Sequence, residues 1–127
     1  LTEGNFDSGG LLSWAADSSH ILFSSNRHEK WELESSEADI FAVNITDGKL
    51  TQITDEPGSE RNATYSPDGK KIAFTKQSNE KVMFKNTYLY VMDTDGSNQK
   101  NLTPELDRPA GSIKWDNDNK HIYFQFD

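Results

Sequence analysis

The chain has 127 residues, of which 33% are hydrophobic and 27% are charged, and its formal net charge is −8. An acidic chain lacks the basic clustering of a nucleic-acid-binding surface, so we do not expect nucleic acid as a partner. The absence of cysteine excludes a disulfide framework and a cysteine-ligated metal, and no apolar stretch approaches the roughly 18 residues of a membrane span.

A strand-turn-strand pattern recurs three times at a period of about fifty residues. Residues Trp14 to Phe23 align with Tyr65 to Phe74 and with Trp115 to Phe124, at offsets of 51 (65 minus 14) and 50 (115 minus 65). A second element follows the first two copies, because Asp39 to Thr54 matches Tyr88 to Thr103. A period of this length, built from strand-like runs and turns, predicts the four-stranded blades of a β-propeller.

The predicted strands, which we letter A to D within each blade, follow one another along the chain. Blade one is expected at about 11 to 54, with strands at 11 to 15, 20 to 25, 38 to 44 and 49 to 54. Blade two is expected at about 61 to 103, with strands at 61 to 66, 71 to 76, 87 to 93 and 99 to 103. A half blade is expected at about 111 to 126. We expect both ends of the sequence to fall within a repeat. The sequence therefore predicts an all-β fragment of a propeller, of about two and a half antiparallel blades.

The A–B and C–D connections carry turn residues. Pro67 presets φ for a type I turn that Gly69 would complete, and Ser18 and Asn119 occupy the same position as Gly69 in the other two copies. Asn119 tolerates positive φ better than Ser18, so the first turn is expected to be the weakest. The C–D turns are predicted at Asp47-Gly48 and Asp95-Gly96.

The clearest copy, Tyr65 to Phe74 followed by Tyr88 to Thr103, resembles the TolB-like WD40 propeller repeat, and the resemblance extends over nearly the whole chain. This repeat occurs in periplasmic TolB proteins and in the N-terminal propeller of prolyl oligopeptidase family serine peptidases (peptidase family S9). The first B–C connection, Ser24 to Phe41, resembles the acylaminoacyl-peptidase and dipeptidyl-peptidase branch. The sequence departs from the repeat at Ala15-Ala16 and Asp116-Asn117, which replace the Ser-Pro of the clearest copy.

The resemblance implies a hydrolase whose Ser-Asp-His triad lies in a C-terminal α/β-hydrolase domain, with a propeller that restricts substrate access and lines the cavity. No Gly-x-Ser-x-Gly elbow occurs in the 127 residues, so we expect no catalytic residue here. The implied partners are the remainder of the propeller, the α/β-hydrolase domain and a peptide substrate, with no cofactor. The alternative is a TolB-like protein-binding propeller of a periplasmic translocation system; a propeller with small-molecule chemistry has no residue to support it. A bacterial source is expected, and the sequence leaves cytoplasm and periplasm open.

The B–C and D–A connections are longer and more varied than the A–B and C–D turns, and in a meander they meet at one rim. Functional residues concentrate on long loops held by a rigid scaffold, although such loops can also simply pack on one another. Candidate residues that would face the substrate or the next domain are Arg27, His28, Trp31, Glu32, Glu34, Met83 and Phe84.

Other polar groups have simpler explanations. His20 and His121 share one repeat position with Lys71, which favours a polar strand edge over catalysis. The segment from Asp93 to Asn98 has its glycine in the wrong place for a calcium loop, so it is expected to be a turn, as are Asp116 and Asp118.

The aromatic residues at one strand A position, Trp14, Tyr65 and Trp115, are expected to pack against the next blade. The apolar faces from Trp14 to Phe23 and from Trp115 to Phe124 would be exposed in the isolated fragment. We therefore expect the fragment to self-associate.

Overall fold

A computed structural model describes residues 3, 4, 6, 8–34, 36–77 and 85–126, and this part of the chain consists of strands and connections without a helix. The strands are β1 (Ser8–Trp14), β2 (His20–Ser25), β3 (Asp39–Asn44), β4 (Leu50–Gln52), β5 (Ser59–Tyr65), β6 (Lys71–Gln77), β7 (Thr87–Asp93), β8 (Lys100–Asn101), β9 (Ala110–Trp115) and β10 (Ile122–Phe126). They form antiparallel sheets in the orders β1-β2-β3-β4, β5-β6-β7-β8 and β9-β10. The predicted all-β fold class is confirmed. None of the described residues forms a helix long and apolar enough to cross a membrane.

The A–B turns have the backbone conformation that their sequences predict. Gly69 has φ of 71°, and Ser18 and Asn119 both have φ of 59°, so all three equivalent positions are left-handed. The Gly69 amide donates to the Ser66 carbonyl at 2.8 Å and closes the second turn. A serine at positive φ is strained, which agrees with the expected weakness of the first turn.

The D strands are shorter than the sequence predicts, because at the end of each strand pair a threonine hydroxyl, and not a backbone carbonyl, accepts the hydrogen bond from strand C. The Ile40 amide donates to Thr54 Oγ1 at 2.9 Å, and the Leu89 amide donates to Thr103 Oγ1 at 3.0 Å. These two threonines occupy equivalent repeat positions. A hydroxyl that accepts in place of a carbonyl satisfies the strand C amide but ends the regular pairing.

The main apolar core lies between blades one and two. Side chains alternate along each strand, so Leu22, Ile40 and Ala42 point toward blade two. There they pack on a set of blade two residues that is likewise buried: Ala63, Ile72, Phe74 and Met92. Burial on both sides of this boundary fixes the two blades as neighbours.

The opposite face of blade one is less exposed than expected. Phe23 and Phe41 are buried, and their rings stack at 5.8 Å, so the expectation of an exposed face as far as Phe23 is wrong. Trp14 is 55% exposed, and Tyr123 on the last strand is 62% exposed, as expected. The difference at Phe23 arises from the Arg27 side chain, which covers both rings.

Adjacent A strands are joined by hydrogen bonds that repeat with the sequence period. The Tyr65 amide donates to Ser13 Oγ at 3.1 Å, and Trp115 Nε1 donates to the Thr64 carbonyl at 3.2 Å. The Tyr65 amide and the Trp115 ring therefore contact the preceding blade, whereas the sequence predicts packing on the next blade.

Candidate functional site

The B–C connection of blade one is an ordered loop held by one buried side chain. Asn26 Nδ2 donates to the Glu34 carbonyl at 2.7 Å, and the Trp31 amide donates to the His28 carbonyl at 3.1 Å. These bonds curl residues 28–34 into consecutive turns. The loop therefore presents Arg27, His28 and Trp31 from a defined backbone.

Arg27 lies among aromatic rings. Its guanidinium carbon is 4.9 Å from the centroid of Phe6, 5.5 Å from that of Phe41 and 5.9 Å from that of Phe23. The Trp31 and Phe6 rings meet edge to face, with their centroids 6.2 Å apart. Cation–π attraction from several rings holds the guanidinium in place. The long loop indicated Arg27 and Trp31, whereas the contribution of Phe6 had no signal in the sequence.

His28 pairs with a buried carboxylate at the start of β3. His28 Nε2 is 2.9 Å from Asp39 Oδ2, but the two are poorly aligned for a hydrogen bond, so the contact is electrostatic. Asp39 is 1% exposed, and Gln52 Nε2 donates to Asp39 Oδ2 at 3.3 Å. Burial raises the pKa of Asp39, although His28 opposes the shift.

A second buried carboxylate lies across the blade boundary. Glu60 on β5 is fully buried, and its Oε1 is 3.1 Å from Lys76 Nζ, which also pairs with the more exposed Glu56. Burial raises the pKa of Glu60 to about 7, against the opposing effect of Lys76. Burial alone would lower the pKa of Lys76, but Glu56 and Glu60 outweigh it and raise that pKa. Asp39 adds to the shift of Glu60 by repulsion.

The blade boundary next to these carboxylates is joined through the backbone. The Ala38 amide donates to the Gly58 carbonyl at 3.2 Å, and the Glu60 amide donates to the Ala38 carbonyl at 2.8 Å. The Gly58 amide donates to Glu37 Oε2 at 2.9 Å. This short parallel bridge between Ala38 and Ser59 ties the end of the B–C loop to blade two.

The remaining predicted site residues do not converge on this cluster. Glu32 and Glu34 are exposed on the outside of the loop, beside Leu33, which is 84% exposed. Met83 and Phe84 lie outside the described residues. The long-loop rim, which we define as residues 26–34 and 36–39 together with 55–60 and 76, thus contains the five predicted residues of this loop, and its buried interior adds Asp39, Glu60 and Lys76.

The opposite rim contains a cavity of about 450 Å³ between blades one and two, lined in part by Asp17, His20, Tyr65 and Asp68. Its carboxylates accept bonds within the A–B turns: Asp17 Oδ1 from the Ser19 amide at 3.0 Å, and Asp68 Oδ1 from the Lys70 amide at 3.0 Å. His20 Nδ1 is 2.6 Å from Ser19 Oγ. The polar groups of this cavity therefore serve the turns, and we place the candidate site at the long-loop rim.

The third A–B turn brings together Asp116, Asp118 and His121, whose possible ligand atoms lie within 4.8 Å of one another. Asp118 Oδ1 accepts the amides of Lys120 at 2.8 Å and His121 at 3.0 Å. The hydrogen bond from the Lys120 amide has the largest effect on the pKa of Asp118, and the His121 side chain has the next largest. Together they lower this pKa to about 2. These contacts agree with the turn predicted here.

The segment predicted as a C–D turn has that structure. The Gly96 amide donates to the Asp93 carbonyl at 3.0 Å, and Asn98 Nδ2 donates to Asp93 Oδ2 at 2.7 Å. The carboxylates of this segment are therefore used to hold the turn.

The chain is similar to proteins of two kinds. It is 28% identical to dipeptidyl-peptidase 5 of Porphyromonas gingivalis over 115 residues, which cover 89% of this chain and 17% of that protein. It is 29% identical to the Tol-Pal system protein TolB of Francisella tularensis subsp. mediasiatica over 91 residues, which cover 72% of this chain and 19% of that protein. The chain thus spans less than a fifth of the length of either relative.

The fold has a close counterpart among solved structures. The structure of putative TolB from Agrobacterium tumefaciens superposes with a TM-score of 0.73 and 22% identity, over 99% of this chain and 45% of that one. Residues 1–83, about two thirds of the sequence, match the family described as the dipeptidyl peptidase IV (DPP IV) N-terminal region. The chain therefore belongs to the family of the dipeptidyl peptidase IV N-terminal region.

Proposed function

We propose that this chain is a non-catalytic propeller segment of a serine peptidase of the dipeptidyl-peptidase or acylaminoacyl-peptidase kind, where it restricts substrate access and lines the cavity. The family match over residues 1–83 carries the proposal. The similarity to dipeptidyl-peptidase 5 over 89% of the chain supports it. The sequence itself has no Gly-x-Ser-x-Gly elbow, so the hydrolytic chemistry is assigned to another part of the protein.

The long-loop rim is the surface proposed to face the substrate. Its loop backbone is held by Asn26, and Arg27 is fixed among aromatic rings, so the rim is pre-organised. A rigid scaffold that presents polar and aromatic side chains from long loops is the usual arrangement of a protein binding surface. Arg27 would contribute positive charge, and Trp31 would contribute an apolar surface for a peptide.

The partners proposed for this segment are the remaining blades, an α/β-hydrolase domain and a peptide substrate. The exposed Trp14 and Tyr123 lie on opposite end blades and would be covered by further blades. The aromatic position of strand A supports this, because Trp115 already makes the equivalent contact with blade two.

A second candidate function is that of a TolB-like propeller that binds a protein partner. The 29% identity to the Tol-Pal system protein TolB over 72% of the chain favours it. Under this alternative the same rim would contact a protein surface, and no hydrolase domain would accompany the propeller.

A serine-reactive fluorophosphonate probe, applied to the full-length protein, distinguishes the two functions. We expect a single labelled serine, located by peptide mapping outside residues 1–127. Labelling that is lost when the protein is denatured beforehand would assign it to a formed active site. A full-length protein that takes up no label would contradict the peptidase function and favour the binding propeller.

A further inference from the structure

The boundary between blades one and two contains two buried carboxylates from different blades. Asp39 on β3 is 1% exposed and Glu60 on β5 is 0% exposed. Thr54 lies between them in the hydrogen-bond network: it accepts from the Ile40 amide at 2.9 Å and donates to Glu60 Oε2 at 3.4 Å. Asp39 Oδ1 has no hydrogen-bond partner among the described residues, although it is buried. A buried carboxylate oxygen without a partner is costly when the group is ionised.

The charges that face these carboxylates come from every element packed around them. Glu60 faces Lys76 on β6, Glu56 on the D–A connection and Asp39 on β3. Asp39 faces His28 and Glu37 on the B–C loop and Asp55 on the D–A connection. Five carboxylates therefore surround one lysine and one histidine. When both buried carboxylates are ionised, negative charge is in excess at a dry boundary.

We propose that Glu60 and Asp39 form a proton-dependent contact between blades one and two, which is tight while Glu60 holds a proton and loosens when Glu60 ionises. A neutral Glu60 does not repel the Asp39 carboxylate, and Lys76 then forms its ion pair with the exposed Glu56 alone. An ionised Glu60 keeps one ion pair to Lys76, at 3.1 Å, at the cost of a second buried anion beside Asp39. Hydration of that anion requires the boundary to open.

The part of the chain that would loosen is the bridge beside Glu60. The Glu60 amide is itself bonded to the Ala38 carbonyl, and Ala38 is bonded to Gly58. Opening there frees the Ala38 end of the B–C loop, and Arg27 and His28 lie at the start of the same loop. A consequence for substrate access rests on the proposed function, whereas the proton-dependent contact does not.

The direction of the pH dependence follows from the raised pKa. Burial raises the pKa of Glu60 from 4.5 to about 7. Between these two pH values Glu60 keeps its proton while the contact is closed and loses it when the contact opens and the carboxyl is hydrated. The stability that the protonated Glu60 side chain gives to the contact is fully present below about pH 4.5 and is lost between about pH 4.5 and about pH 7. Above about pH 7 it changes no further. The opening equilibrium should grow on the order of one hundredfold across this window.

Hydrogen exchange on the full-length protein, followed by mass spectrometry of peptides covering residues 36–40 and 56–61, tests the inference. After correction for the intrinsic pH dependence of exchange, we expect protection in these peptides to fall on the order of one hundredfold from pH 5 to pH 8. Glu60→Gln keeps the shape of the protonated side chain and should abolish this fall. Glu32→Gln is the matched control, because Glu32 is exposed on the outside of the B–C loop, and it should preserve the fall.

Two outcomes would overturn the inference. The first is protection in the wild type that does not change with pH, and the second is a fall that persists unchanged in Glu60→Gln. Should Glu60→Gln fail to fold, Lys76→Met gives a second test. Loss of the positive charge should raise the pKa of the buried Glu60 and extend the fall in protection to higher pH, and a fall that ends at unchanged pH would also overturn the proposal.

Discussion

The backbone carbonyl oxygen of Ile53 in blade one lies 2.1 Å from the position that a Cβ atom would take on Gly96 in blade two. Gly96 also has φ of 89°, so its turn requires both the conformation and the small size of glycine. The C–D turn of one blade therefore packs directly on the residue that follows strand D of the preceding blade.

Gly96→Ala should lower the free energy of unfolding by at least about 2 kcal/mol, because the clash is with backbone and is added to the strain at positive φ. Gly10→Ala is a matched control: Gly10 has φ of 84°, and a Cβ there would meet nothing within 4 Å. It should lower the free energy by only about 1 kcal/mol. Chemical denaturation that gives equal losses for the two variants would refute the close packing of the blades at Ile53.

The A–B turns predict a pair of opposite effects. Gly69→Val should destabilise blade two by about 1 kcal/mol or more, since Gly69 has φ of 71° and a β-branched residue is strained there. Ser18→Gly should stabilise blade one by a smaller amount, because it relieves a serine with φ of 59°. Thermal melts give both values. An unchanged melting temperature for Gly69→Val would be incompatible with the turn as described.

The isolated 127-residue chain is expected to self-associate. Leu12 at 65% exposure and Tyr123 at 62% exposure present apolar surface on its two end blades, and β10 pairs only with β9 among the described strands. Light scattering on dilute protein should give a mass above that of the monomer. The double variant Leu12→Lys with Tyr123→Lys should shift the mass toward the monomer. A monodisperse wild-type monomer would show that these faces need no cover.

The isolated chain is also expected to be catalytically inert. His20 and His121 lie at equivalent repeat positions and contact Ser19 and Asp118 of their own turns, and His28 contacts Asp39. Assays with aminoacyl and dipeptidyl reporter substrates should give no turnover above buffer. Activity that stays with the chain through repeated purification would defeat this expectation.

The sequence was sufficient for the meander and its turns, because these depend on local chemistry. Pro67 with Gly69 and the Asp-Gly pairs specify hairpins whatever surrounds them, and the apolar runs of β2 and β6 require burial on both faces. The ends of the D strands were not predictable. They depend on the hydroxyls of Thr54 and Thr103, which replace backbone acceptors.

The candidate site was predictable in its position but not in its charged interior. Loop length alone indicated Arg27, His28 and Trp31, since long loops concentrate at one rim of a meander. Glu60 falls at the end of the predicted D–A connection, just before the predicted strand at 61 to 66, and nothing in the sequence predicts its burial. Its burial depends on the neighbouring blade and on the irregular pairing of β5 near Asn62, which has φ of 57°. Such contacts between two blades cannot be predicted from the sequence pattern of a single repeat.

The central claim is that the long-loop rim lines the substrate cavity of a peptidase, and steady-state kinetics of the full-length protein test it most directly. Trp31→Ala should lower kcat/KM for a peptide substrate by roughly fivefold or more, equivalent to about 1 kcal/mol, because it removes apolar contact with the peptide. Ile45→Ala, at the C–D turn on the opposite rim, should leave kcat/KM unchanged, and the rate of fluorophosphonate labelling should be equal in both variants. Indistinguishable kcat/KM values for the wild type and Trp31→Ala would contradict the account.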